Sequence, residues 1–368
     1  MSGAQQVVFQ NQRSFGLGPN GPGLYLWGSN DSGQLGQGNL TLTNSPVQVG
    51  RLSTWTNIGG SSLSTTFAVK SGELWSWGTN YHGVLGIGNT TSYYSPKQVG
   101  ALTTWVTTVN NNSGEGCFAI KTNGSLWVWG YNRFRVFGSS SFANYALRSS
   151  PVQVGTDTNW SKIESTSQAT IALKTTGTIW GWGANNGGVI GFSTPSAVYL
   201  NPTQIGSSTW SSISMSPNVS FGVQTDGTLW IIGGQFNATS YYAQTQIGAL
   251  TNWATISALA NGALMTKTNG TLWSMGTNDR GQLGIGNTTT TYSPVQVGAL
   301  TTWSKVSAHR KSSMALKTDG TIWTWGWNNN GQLGSSNFTY FSSPVQVGAL
   351  TTWNFIRMQD YDGGAILG

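Results

Sequence analysis

Charge is scarce in this chain. Its 368 residues hold 17 Lys and Arg and 10 Asp and Glu, 7% charged in all, against about a quarter in an ordinary soluble domain. The single cysteine, Cys117, excludes an internal disulfide framework. The two histidines, His82 and His309, have no second His, Cys or carboxylate at ligand spacing, which argues against a metal site. Of the ten acids only Asp360 and Asp362 lie close together, and a solvated turn explains that pair better than acid–base chemistry. No run of about 18 apolar residues is present, so no membrane span is expected. The N-terminus lacks the basic start, apolar core and cleavage site of a secretory signal. No G-x-S-x-G elbow precedes a helix, and no helical periodicity is evident. These absences leave no catalytic constellation, cofactor or metal to expect.

What the chain has is glycine and aromatic residues: 51 Gly, 19 Trp, 12 Tyr and 13 Phe. A polar chain so rich in aromatics is packed rather than disordered. Its glycines and β-branched residues favour strands joined by tight turns. The formal charge of +7 suggests nucleic acid only superficially, because no dense basic run exists. Lys70, Lys121, Lys174, Lys267 and Lys317 recur in phase and read as solvated strand ends that discourage edge pairing.

The organising feature is repetition. Residues 74–105, LWSWGTNYHGVLGIGNTTSYYSPKQVGALTTW, return nearly verbatim at 272–303. A Trp/Leu-plus-Gly signature ends at Gly28, Gly78, Gly130, Gly183, Gly233, Gly276 and Gly326, about 50 residues apart except for the last-but-one interval of 43. A Pro-x-Gln-Val-Gly segment and a following Trp keep the same phase, so the unit occurs seven times. Inside a unit, SMALKTDGTIWTW reads as strand, Asp-Gly turn, strand. A Gly-rich loop, the Pro-x-Gln-Val-Gly strand and a TTW strand complete the set. The loop cannot be a phosphate cradle without a helix behind it. Seven units of four short strands predict an all-β, seven-bladed propeller.

The WGxNxxGxLGxG pattern followed by PxxVG resembles the regulator of chromosome condensation family of propeller repeats. The resemblance runs from Leu24 to the C-terminus. It implies binding through a propeller face or rim, with no chemistry common to the family. The extended wedge of the family's exchange factor and the GWRHT-type motif of its photoreceptor do not occur here.

Two domains are expected: an arm over residues 1–23 and one propeller over 24–368. Ring closure falls to Leu24, Leu26 and Trp27 pairing with Ala365, Ile366 and Leu367, which align with the two strands of one hairpin. The repeating tryptophans read as core between blades rather than as a stacking platform. Contact residues are therefore sought where the repeat departs from itself. These are Phe9, Arg13 and Phe15 in the arm, Arg133, Phe134, Arg135 and Phe137 in the third unit, and Phe236, Tyr241 and Tyr242 in the shortened fifth. The expectation is a non-enzymatic interaction protein, foremost a bacteriophage virion component such as a capsid decoration, collar or tail-associated propeller. Its partners would be virion subunits or a host surface, without nucleic acid. The alternative is a soluble cytoplasmic regulator or inhibitor that grips a protein with its blade loops.

Overall fold

A computed structural model describes residues 21–59, 64–111 and 114–368. The expected arm residues Phe9, Arg13 and Phe15 lie outside the described residues. Seven antiparallel sheets form a ring, each blade numbered here by the repeat unit it contains. Blade 2 is representative: Trp55–Gly59, Thr65–Lys70, Glu73–Gly78 and Tyr93–Gln98 follow one another outward from the axis. The seven Trp-led strands are innermost and touch in sequence, with Trp353–Met358 meeting Trp55–Gly59 to close the circle. The TTW strand is thus the first strand of the following blade, not the last of its own set. Its side chains must face neighbours on both sides, which suits the axis.

Blade 1 closes the ring with both ends of the chain. Gly23–Gly28 pairs with Asp362–Leu367, Leu24 opposite Ile366 and Tyr25 opposite Ala365, while Thr43–Gln48 lies outside and Trp353–Met358 inside. The closure expected of Leu24, Leu26, Trp27, Ala365, Ile366 and Leu367 is therefore observed, and all six are buried. Outer strands carry Pro46, Pro96, Pro151, Pro202, Pro294 and Pro344, the only place in a sheet where a missing N–H is harmless.

The signature's second Trp bolts five of the seven blades to the one before; blade 5 has Gly233 and blade 6 Met275 at that position. Trp27, Trp77, Trp129, Trp182 and Trp325 are fully buried. Their indole N–H groups donate to Gln332 O, Gln34 O, Val84 O, Val136 O and Gln282 O at 2.6–2.9 Å. Each acceptor belongs to the loop between third and outer strands of the preceding blade. That loop is shaped by its first Asn. In blade 6, Asn278 Oδ1 accepts from Leu283 N at 2.9 Å, and its Nδ2 donates to Asn287 O and Thr289 O at 3.0 and 3.1 Å.

Blade 5 lacks this loop. Its third strand, Leu229–Phe236, carries a bulge, so the glycine equivalent to Gly276 is Gly234 rather than Gly233. Phe236 then stands where the other loops have Asn. The chain turns at once through Asn237 and Ala238, both left-handed (φ 53° and 57°), as a two-residue hairpin requires. The outer strand breaks into Thr239–Tyr241 and Thr245–Gln246. The next blade, facing no such loop carbonyl, has Met275 at the position of the bolting Trp and Ala263 at that of the neighbouring hydroxyl donor, Ser313 in blade 7. Phe236 fills the gap, edge-on to Tyr292 at 5.2 Å and clustered with Ala263 and Met275. An apolar plug replaces a hydrogen-bonded bolt.

Two further sequence expectations are corrected. The in-phase lysines are not solvated: Lys174, Lys267 and Lys317 are only 7–8% exposed. Lys121, Lys174, Lys267 and Lys317 lie between two indoles, with Nζ 3.5–4.0 Å from the nearer ring centre. Lys70 sits over Trp75 and pairs with Glu73 at 3.0 Å. The driving term is cation–π attraction in a partly dry slot, and burial lowers the pKa of Lys121, Lys267 and Lys317. Asp360 and Asp362 are buried rather than a solvated turn. The three-residue turns Arg133–Arg135 and Asn186–Gly188 contain left-handed residues and leave the all-β architecture intact.

Candidate functional site

Antiparallel order puts the loops after the inner strands and those after the third strands on one face of the ring. The most irregular region of that face joins blades 2 and 3. Asn132 keeps its organising role, accepting from Phe137 N at 3.0 Å and donating to Ala143 O at 2.9 Å. Between those anchors the loop departs from its sisters. Phe134 and Arg135 are both left-handed, φ 58° and 62°. At the Arg135 position the other loops have Gly33, Gly83, Gly188, Gly281 and Gly331, with φ from 70° to 79°. A side chain held there costs on the order of 1–3 kcal/mol. Arg135 recovers part of it by donating to Phe142 O at 3.0 Å.

Arg133 is exposed and lies 3.7 Å from Glu115. Phe134 is half-buried against the core of this blade. Phe137 and Phe236, expected as contact residues, are core side chains at 0% and 5% exposure; each takes a loop anchor inward instead. Tyr241 packs against the blade 5 core. Tyr242 is exposed and covers Gly188 of blade 4, so the two tyrosines do not join the blade 3 loop.

Beside Arg133 the structure assembles residues that sequence inspection passed over. His82 stacks on Tyr131 at 4.6 Å, and Tyr131 meets Tyr145 at 5.8 Å. Tyr81 is 75% and Tyr145 55% exposed. His82 and Tyr145 are themselves left-handed, φ 66° and 64°. One signal was available: His82 precedes a loop glycine, where blade 4 has Gly187. A second charged group forms at the ring seam. Asp360 of blade 1 contacts His309 Nδ1 and Arg310 Nε of blade 7, both at 2.7 Å. Burial pushes the Asp360 carboxyl up, but the His309 and Arg310 charges outweigh it and hold the pKa below the usual carboxylate value. Among the described residues no three His, Cys, Asp or Glu side chains gather to hold a metal ion.

The regulator of chromosome condensation (RCC1) repeat matches residues 23–66, 71–110, 269–316 and 319–359, and a second form of it matches 303–332. Those stretches are RCC1-type repeats. The matched stretches are those of blades 1, 2, 6 and 7, where the Asn loop and the Pro strand are regular. Similar solved structures share this fold. Human WBSCR16 has a TM-score of 0.83 at 14% identity, covering 95% of this chain and 99% of its own. Prp20p from Saccharomyces cerevisiae, described with its binding properties to Gsp1p and histones, gives 0.78 at 17%, over 95% and 92%. A structure of Kap60 bound to yeast RCC1 (Prp20) gives 0.78 at 16%, over 99% and 96%. At such identity the RCC1-type likeness is one of fold. No curated sequence matches the chain.

Proposed function

We propose that this chain is a non-enzymatic interaction propeller that holds a protein partner on the loop face of blades 2 and 3. The observation that carries the proposal is Arg135, a charged residue kept left-handed where five sister loops have glycine. Backbone strain retained on an exposed loop points to a use for the side chains it presents. Those beside it, Arg133, Tyr81, His82 and Tyr145, include the residue types that dominate protein interfaces. The immobilised full chain should capture a partner that the Arg133→Ala, Tyr81→Ala double variant releases, with an unchanged melting curve. Undiminished capture by that variant refutes this surface.

For the setting we infer a virion, with the chain as a bacteriophage capsid decoration, collar or tail-associated propeller. The support is compositional: 7% charge and near-identical Asn/Thr-rich repeats suit a particle exposed outside a cell. Purified particles should then contain the chain in fixed stoichiometry. Its recovery from host cytoplasm alone would leave the second reading, a soluble protein-binding regulator, which the likeness in fold to Prp20p favours.

A further inference from the structure

The inner strands surround an axial cavity of about 160 Å³. Three of its walls share one device. Ser214, Ser257 and Ser307 are each fifth in a Trp-led strand, and each hydroxyl accepts a backbone N–H from the next blade. The donors are Ala258, Ala308 and Met358, at 2.9, 2.9 and 2.8 Å. Blade 1 departs from the series, with Arg357 at the fifth position. Its side chain lines the same cavity, and its Nε is buried without a hydrogen-bond partner.

The other charges around the cavity are already answered. Lys162 and Glu164 pair at 3.1 Å, and His309 faces Asp360. Arg357 as a residue is half-buried, its guanidinium keeps its proton, and a buried donor of a charged group left without an acceptor favours a guest that can accept from it. The guanidinium's planar fork matches an oxyanion with two parallel hydrogen bonds. The volume suits such a guest, since one water takes about 30 Å³ of liquid.

We propose that the axial cavity binds one small oxyanion, of the size of phosphate or a short carboxylate, on the Arg357 guanidinium. The site is independent of the loop face of blades 2 and 3. Calorimetric titration of the full chain with inorganic phosphate, and separately with succinate, should show one ion bound per chain with at least one of them. Arg357→Gln should weaken that binding at least tenfold. Arg357→Lys, which keeps the charge without the fork, should give an intermediate affinity, and it serves if the Gln variant does not fold. Absence of binding by both ions to the native chain overturns the proposal. So does equal affinity in whichever of the two variants folds.

Discussion

At the scale of the residue, a few side chains fix the geometry of each blade because the backbone alone leaves its loops unsatisfied. Asn278 is fully buried and makes three hydrogen bonds that span its loop. Asn278→Ala removes all three and strands buried backbone groups, so it should cost about 2–4 kcal/mol. Urea denaturation checks this; a loss below about 0.5 kcal/mol would mean that the glycines alone hold the loop. Paired indoles define the opposite face at the hairpins between second and third strands, where Asp319 Oδ1 accepts from the Thr321 hydroxyl, which accepts in turn from Trp323. Lys317 lies over that same indole. No single residue in this arrangement announces its role, since Lys317, Thr321 and Trp323 look like a surface lysine, a turn threonine and a core tryptophan.

At the scale of the element, the blade 2 and 3 loops trade stability for exposure. His82 holds φ 66° with its ring in solvent, whereas blade 4 has Gly187 at the same place with open space around it. His82→Gly should therefore raise stability by up to about 1 kcal/mol while weakening partner capture through the lost stacking on Tyr131. A lower melting temperature would show that the stacking outweighs the strain. The strands were legible in the sequence because each is written seven times in phase, and the ring closure because the two chain ends align with the halves of one hairpin; the place of the TTW strand was not, since it opens the following blade. The candidate site was legible only as a departure: Arg133 and Arg135 broke the repeat visibly. His82 comes from the blade 2 loop, Tyr131 and Tyr145 from the end of a strand and the following loop of blade 3, and His82 reaches Tyr131 only once the blades pack. Phe137 and Phe236 departed just as visibly and turned inward, because an apolar residue at a loop anchor fills the core as readily as a surface. The Asp360 pair was misread because its partner His309 is 51 residues away along the chain.

At the scale of the whole molecule, the ring is held shut by the strand pairing of blade 1 and by the Asp360 contacts to blade 7. The folded pKa of Asp360 lies below its ordinary value of 3.8. A depressed carboxylate contributes stability that is present above the unfolded pKa and lost as pH falls through the folded one. The ring should thus lose stability as pH drops below about 4, and Asp360→Asn should flatten that acid limb. Melting temperatures between pH 3 and pH 7 test it; parallel curves for the two proteins would assign the acid sensitivity elsewhere.

The indole bolts give the ring a fixed word order. Each blade that carries the Trp reads a carbonyl presented by its predecessor, and blade 6, with Met275 and Ala263, is written to follow a blade that presents none. A copy of blade 6 inserted after blade 7 would leave Gln332 O without its indole donor, and a copy of blade 7 placed after blade 5 would bury an indole N–H against Phe236. Blades that look interchangeable in sequence are therefore not interchangeable in position, and a shuffled or expanded ring of this kind has to move its blades in matched pairs.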